Sequence, residues 1–77
     1  MSDTAPFEVE ARGMRCPWPA LRAAKAMRDH DSVLIRADDP IAPRELAALA
    51  EERGWVFDQQ GDTSFILAQS AEKLPHQ

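Results

Sequence analysis

The tetrapeptide Cys16-Pro17-Trp18-Pro19 constrains the fold of this chain more than any other stretch. Proline fixes φ at about −65° and lacks a backbone N–H, so a helix accepts it only in the first turn. Two prolines this close predict a loop-to-helix junction, with Cys16 as N-cap, Pro17 at N1 and Pro19 at N3. The first four N–H groups of a helix have no intrahelical partner, so neither ring costs a hydrogen bond. The thiol of Cys16, the single cysteine of the chain, is then expected at the positive end of a helix dipole and open to solvent. That setting favours a reactive thiolate.

Other elements follow from periodicity. Phe7-Glu8-Val9-Glu10-Ala11 alternates apolar and polar residues, as a half-buried strand does. Arg12-Gly13-Met14-Arg15 reads as a turn into the cysteine. From Pro17 to about Arg28 the chain is rich in good helix formers. Leu21, Ala24 and Met27, or Ala20 and Ala23 beside them, supply a core stripe. Asp29-His30-Asp31-Ser32 breaks this helix. Val33-Leu34-Ile35 is a continuous apolar run, predicting a central strand buried on both faces. Asp38-Asp39-Pro40 ends it. Pro43 suits N1 of a second helix, with Leu46, Leu49, Ala50 and Arg53 on one face, Glu45, Glu51 and Glu52 outward, and Gly54 as the C′ stop. Trp55 to Gln59 and Thr63 to Ala68 read as strands joined by the hairpin Gln60-Gly61-Asp62.

The order is βαβαββ. It predicts an α/β (α+β) two-layer sandwich, with two helices on one face of a four-stranded mixed sheet. Residues 1–77 are expected to form a single domain with an ordered core over about 7–69 and flexible tails.

With 77 residues, the chain sits near the size at which a core holds without staples. One cysteine excludes an internal disulfide, and no Cys/His cluster has zinc spacing. The net charge of −4 argues against nucleic acid as a partner, because phosphate binding needs clustered Lys and Arg. No apolar run has membrane-span length, and Met1 to Pro6 lacks the regions of a signal peptide. A cytoplasmic location is expected, where a free thiol stays reduced.

Arg12-Gly13-Met14-Arg15-Cys16-Pro17-Trp18-Pro19, followed by a helix, a strand and Asp38-Asp39-Pro40, resembles the TusA/SirA-like family of small sulfur-carrier proteins. Cys-Pro-x-Pro opening helix one and Asp-Asp-Pro after strand two make the match specific. The sequence departs from the family pattern at Glu10, where Asp is usual, and at Ala42-Pro43, where Thr or Ser caps helix two. A glycine before strand two and the second cysteine of some relatives are missing. The resemblance implies a persulfide carrier. Cys16 would accept sulfur from a cysteine desulfurase or a rhodanese-type donor. It would then relay that sulfur toward tRNA thiolation, molybdenum-cofactor synthesis or sulfur oxidation. No cofactor is implied beyond the covalent sulfur, and a monomer that acts as a carrier rather than a stand-alone catalyst is expected.

Around Cys16, the residues Gly13, Pro17, Trp18 and Pro19 are expected to position the thiol. Because Pro19 has no N–H, the Trp18 N–H is the expected local donor to sulfur. The helix dipole is expected to lower the thiol pKa modestly from its usual value of about 8.5, with Arg15 and Arg12 adding to the effect. Arg22 and Lys25 are candidates for a basic docking rim. Asp38 and Asp39 either contact a basic partner or cap helix two, the structural role being favoured. Trp18 is either a docking anchor or folded onto its own helix. His30 falls at the far end of the helix, too distant to be a base for Cys16, so a Cys-His hydrolase is not expected. Two other readings are a regulatory binding module and a thiol redox sensor. The second is weakened because no resolving cysteine is present.

Overall fold

The structure is a computed structural model, and it describes residues 5–75. The elements are β1 (Phe7–Glu10), α1 (Trp18–Met27), β2 (Ser32–Arg36), α2 (Ala42–Arg53), β3 (Val56–Gln59) and β4 (Ser64–Ala68), followed by one 3₁₀ turn, Ala71–Lys73. The four strands form one sheet in the order β1-β2-β4-β3. β1 runs parallel to β2, with Val9 opposite Ile35, and the other two pairings are antiparallel. Parallel neighbours need a long crossover, which α1 provides. The βαβαββ sandwich expected from periodicity is the fold observed.

Strand alternation decides which face is covered. Val9 pairs with Ile35, Ile35 with Phe65, and Val33 with Leu67, so these side chains point to one face and are buried. Pro19, Ala23 and Met27 of α1 are buried, as are Ala42, Leu46 and Ala50 of α2. Together with Ala11 and Ala37 they form a single core. Met14 packs against it from the turn before Cys16.

Three expectations are corrected here. The buried stripe of α1 is Pro19, Ala23 and Met27, whereas Leu21 is 51% exposed. Of the expected residues, Ala23 and Met27 are the ones buried, because the i, i+4 spacing that starts from buried Pro19 puts them on one helix face. Pro43 is the second residue of α2, not the first, because Ile41 is its N-cap. The segment after Gln69 is not wholly loose. Gln69 donates its backbone N–H to the Asp31 carbonyl at 2.8 Å and its side-chain amide to the Met27 carbonyl at 3.2 Å. Lys73 pairs with Asp31. The expected fraying of residues 1–4, 76 and 77 lies outside the described residues. Gly54 caps α2 in the left-handed region, at φ 75°, a conformation that costs glycine little.

Candidate functional site

The turn that delivers Cys16 is held by acid side chains from the loop after β2, the strand next to β1. After β1, Gly13 turns the chain at φ 88° and donates its N–H to Asp38 Oδ1 at 2.9 Å. Cys16 donates its N–H to Asp39 Oδ2. The other oxygen of Asp39 accepts the Ile41 N–H at 3.2 Å. One carboxylate thus joins the cysteine loop to the start of α2, 23 positions later in the chain. Gly13, Met14, Arg15, Asp38, Asp39 and Pro40 line a depression of about 450 Å³ along this seam. Asp38 holds Gly13, and Asp39 joins Cys16 to Ile41; the role of both is structural, but the expected capping of helix two is corrected, because α2 has no side-chain cap.

Cys16 is not the N-cap of α1. Pro17 is, with Trp18 and Pro19 as the first two helical residues and no side-chain cap. The Cys16–Pro17 peptide is cis. The Trp18 N–H donates to the Arg15 carbonyl at 2.9 Å rather than to sulfur. Pro19 is buried and anchors the first turn in the core.

The thiol is half-buried and its pKa lies above the ordinary thiol value, not below it. Loss of hydration is the largest cause. A hydrogen bond to the Glu45 carboxylate is next, followed by the negative charges of Glu45 and Asp39. The expected activation by the helix dipole and two arginines is therefore overturned. The physical reasons are direct. Cys16 stands one residue outside the helix, and the groups that reach its sulfur are acidic. Arg12 is turned away into a two-bond ion pair with Glu10, at 2.8 and 2.9 Å. That pair holds the Glu10 carboxyl down at about 2, chiefly through the side-chain and backbone hydrogen bonds from Arg12. Arg15 is not among the groups that shift the thiol.

Glu45 is the site residue that sequence reasoning misplaced. It was expected outward with Glu51 and Glu52. In the structure it is half-buried in the first turn of α2, its N–H bonded to the Ile41 carbonyl, and its carboxylate is among the groups that raise the Cys16 thiol pKa. The available signal was its distance of six residues from Asp39, which places it about one turn beyond a helix start that already holds the cysteine loop.

Around the thiol the surface is apolar in patches. Trp18 is 59% exposed, as are Leu21 and Ile41 at about half. Trp18 and Leu21 are three apart on α1 and so share a face. Arg22 and Lys25 are exposed and line a separate cleft of about 380 Å³ with Phe7, Val9 and His30. His30 stacks on Phe7, with ring centroids 3.9 Å apart, and takes no part at the thiol. Among the described residues no cluster of His, Cys, Asp and Glu is arranged to hold a metal ion. No helix of the described chain is long and apolar enough to cross a membrane.

A family model described as Sulfurtransferase TusA matches residues 7–68. The chain belongs to the TusA family. The match runs from the first residue of β1 to the last of β4, so it covers the whole sandwich and the cysteine junction within it. Membership of the TusA family carries with it a role in sulfur transfer.

Proposed function

We propose that this TusA-family domain carries sulfur as a persulfide on Cys16. The observation that carries this reading is the coincidence of the family match with the placement of its lone cysteine. Cys16 sits on a rigidly tied loop that reaches the surface, beside exposed apolar side chains suited to a protein partner.

The transfer step needs no cofactor from the carrier. The Cys16 thiol loses its proton, and its sulfur attacks the terminal sulfur of a persulfide on the donor. A new S–S bond forms at Cys16 and the donor's own S–S bond breaks. The departing donor sulfur leaves as a thiolate and takes up a proton, so there is no net oxidation. The reverse chemistry on an acceptor passes the sulfur onward. The donor is a cysteine desulfurase or rhodanese-type enzyme. The acceptor is a relay protein of tRNA thiolation, molybdenum-cofactor synthesis or sulfur oxidation, and the setting is the cytoplasm. Pro17, Trp18, Pro19 and Gly13 fix the loop that presents the sulfur. Trp18 is the anchor for partners, with exposed Arg15 near it in the chain, and Arg22 and Lys25 offer a basic docking rim at the separate cleft.

The test is mass spectrometry of the intact chain after exposure to inorganic polysulfide. A gain of one sulfur is expected, reversed by dithiothreitol and absent from Cys16→Ala. No gain, or a gain that persists in Cys16→Ala, refutes the reading.

A further inference from the structure

β1 lies at one edge of the sheet, with β2 as its neighbour on the other side. The pairing is parallel, and just beyond it Ala11 donates its N–H to the Arg36 carbonyl at 2.8 Å. Successive backbone groups of a strand point in alternate directions, so Phe7 and Val9, like Ala11, bond toward β2. The N–H and C=O groups of Glu8 and Glu10 face outward, in the row that a further strand uses.

Beside that edge runs a cleft of about 380 Å³ between β1 and α1. Phe7, Val9 and Ala26 are its apolar lining, and Arg22 and Lys25 bring two positive charges to it. Both cations are exposed, and neither takes part in the three ion pairs of the described residues. They share a helix face and stand about 4.5 Å apart along α1. Two residues of an extended chain cover about 6.6 Å, a difference that the long Arg and Lys side chains bridge. His30, stacked on Phe7 at 3.9 Å, and Asp29 close the other end of the cleft. On the opposite face of β1 the charges are matched, Glu8 with Arg36 and Glu10 with Arg12. Against the one negative charge of Asp29, the two cations leave the α1 side of the edge positive.

The geometry points to β1 as a docking edge for an acidic, extended segment of a partner protein. The segment adds to the sheet as a fifth strand through the outward groups of Glu8 and Glu10. Its acidic side chains, at every second position, meet Arg22 and Lys25. Where it passes Phe7 and Asp29, an uncharged residue fits. A second copy of this chain fits worse, because pairing β1 to β1 about a two-fold axis sets Arg22 and Lys25 against their own copies. Lys25 lies about two turns into α1 from Trp18, and the contact does not involve the thiol.

The test is nitrogen-15 NMR of the full chain at low ionic strength, titrated with a capped eight-residue peptide that alternates Glu and Thr. One control alternates Lys and Thr, and another holds the Glu and Thr residues of the probe in two blocks. The probe should shift the amides of Phe7 to Glu10, Arg22 and Lys25, slow amide exchange at Glu8 and Glu10, and bind more weakly in high salt. Both controls should bind this edge at least tenfold more weakly. Arg22→Gln and Lys25→Gln should each lower affinity about threefold, and together about tenfold. Cys16→Ala should bind as wild type does, which keeps the result independent of whether Cys16 carries sulfur. Shifts confined to other surfaces, no binding at millimolar probe, or controls that bind the edge equally well overturn the proposal. Binding with unchanged exchange at Glu8 and Glu10 overturns strand addition, and unchanged affinity in the double Gln variant overturns the role of the cations. Dimerisation of the free chain in sedimentation, abolished by Glu8→Pro, assigns the edge to a second copy and overturns the proposal as well.

Discussion

Replacing Asp39 with alanine should loosen the seam between the cysteine loop and α2, and the size of the effect follows from what the carboxylate touches. It accepts the Cys16 N–H, which is partly buried, and the Ile41 N–H, which is exposed. A hydrogen bond to a charged acceptor contributes roughly 1.5–3 kcal/mol when well shielded. Partial exposure reduces the Cys16 bond to about 1–1.5 kcal/mol, and loss of a cap-like contact at a helix start costs about 0.5–1 kcal/mol more. Asp39→Ala is therefore expected to cost about 2 kcal/mol. For a domain of this size each kcal/mol moves Tm by about 4–8 °C, so the melt followed by circular dichroism should fall by about 8–16 °C. Asp39→Asn keeps one acceptor oxygen and should recover about half of that. Amide exchange at Cys16 should accelerate in both variants, and more in Asp39→Ala. If Asp39→Ala melts within about 2 °C of wild type and the Cys16 amide stays protected, the carboxylate does not hold the loop and the reasoning fails.

Glu10 should titrate by NMR with a midpoint of about 2, and Arg12→Ala should return it to the ordinary carboxylate range. Because the folded-state value is depressed, the pair adds stability above the unfolded value, and that contribution is lost as pH falls from about 4.5 toward 2. Glu10→Gln should flatten this part of the stability profile in acid melts. Leu46 is fully buried in α2, so Leu46→Ala should cost about 2–5 kcal/mol in urea unfolding. A loss under 1 kcal/mol would mean that α2 does not form the roof of the core.

Sequence patterning made most of this fold legible because each layer has its own period. Phe7 to Ala11 alternates, Val33 to Ile35 is uniformly apolar, and Gly54 marks the end of α2 by the left-handed turn it makes. Phase along the helices was harder to read. The apolar residues of α1 fit more than one stripe, and the structure buries the one that contains Pro19, Ala23 and Met27 and leaves Leu21 exposed. The site was legible only in part. The loop-to-helix junction at the cysteine follows from local rules, but Cys16 stands before the N-cap and is half-buried, and the carboxylates that act on its thiol, Asp39 and Glu45, lie far along the chain. Arg12 and Arg15 are near in sequence and were expected to act on it. The ion pair from Arg12 to Glu10, only two residues away, is what removes the first of them. Gly13 and Asp38 meet for the same reason that Cys16 and Asp39 do: parallel pairing of β1 and β2 brings both loops to one end of the sheet.

Tying the cysteine to two elements at once means that the molecule has no swinging arm. The sulfur cannot extend into a deep recess while the body stays behind, as a lipoyl-like tether allows. Whatever hands sulfur over must open a cleft wide enough for the blunt end of the sandwich, and whatever receives it must do likewise. Giver and receiver then compete for the same footprint, and the traffic is obliged to proceed by release and recapture, one partner at a time.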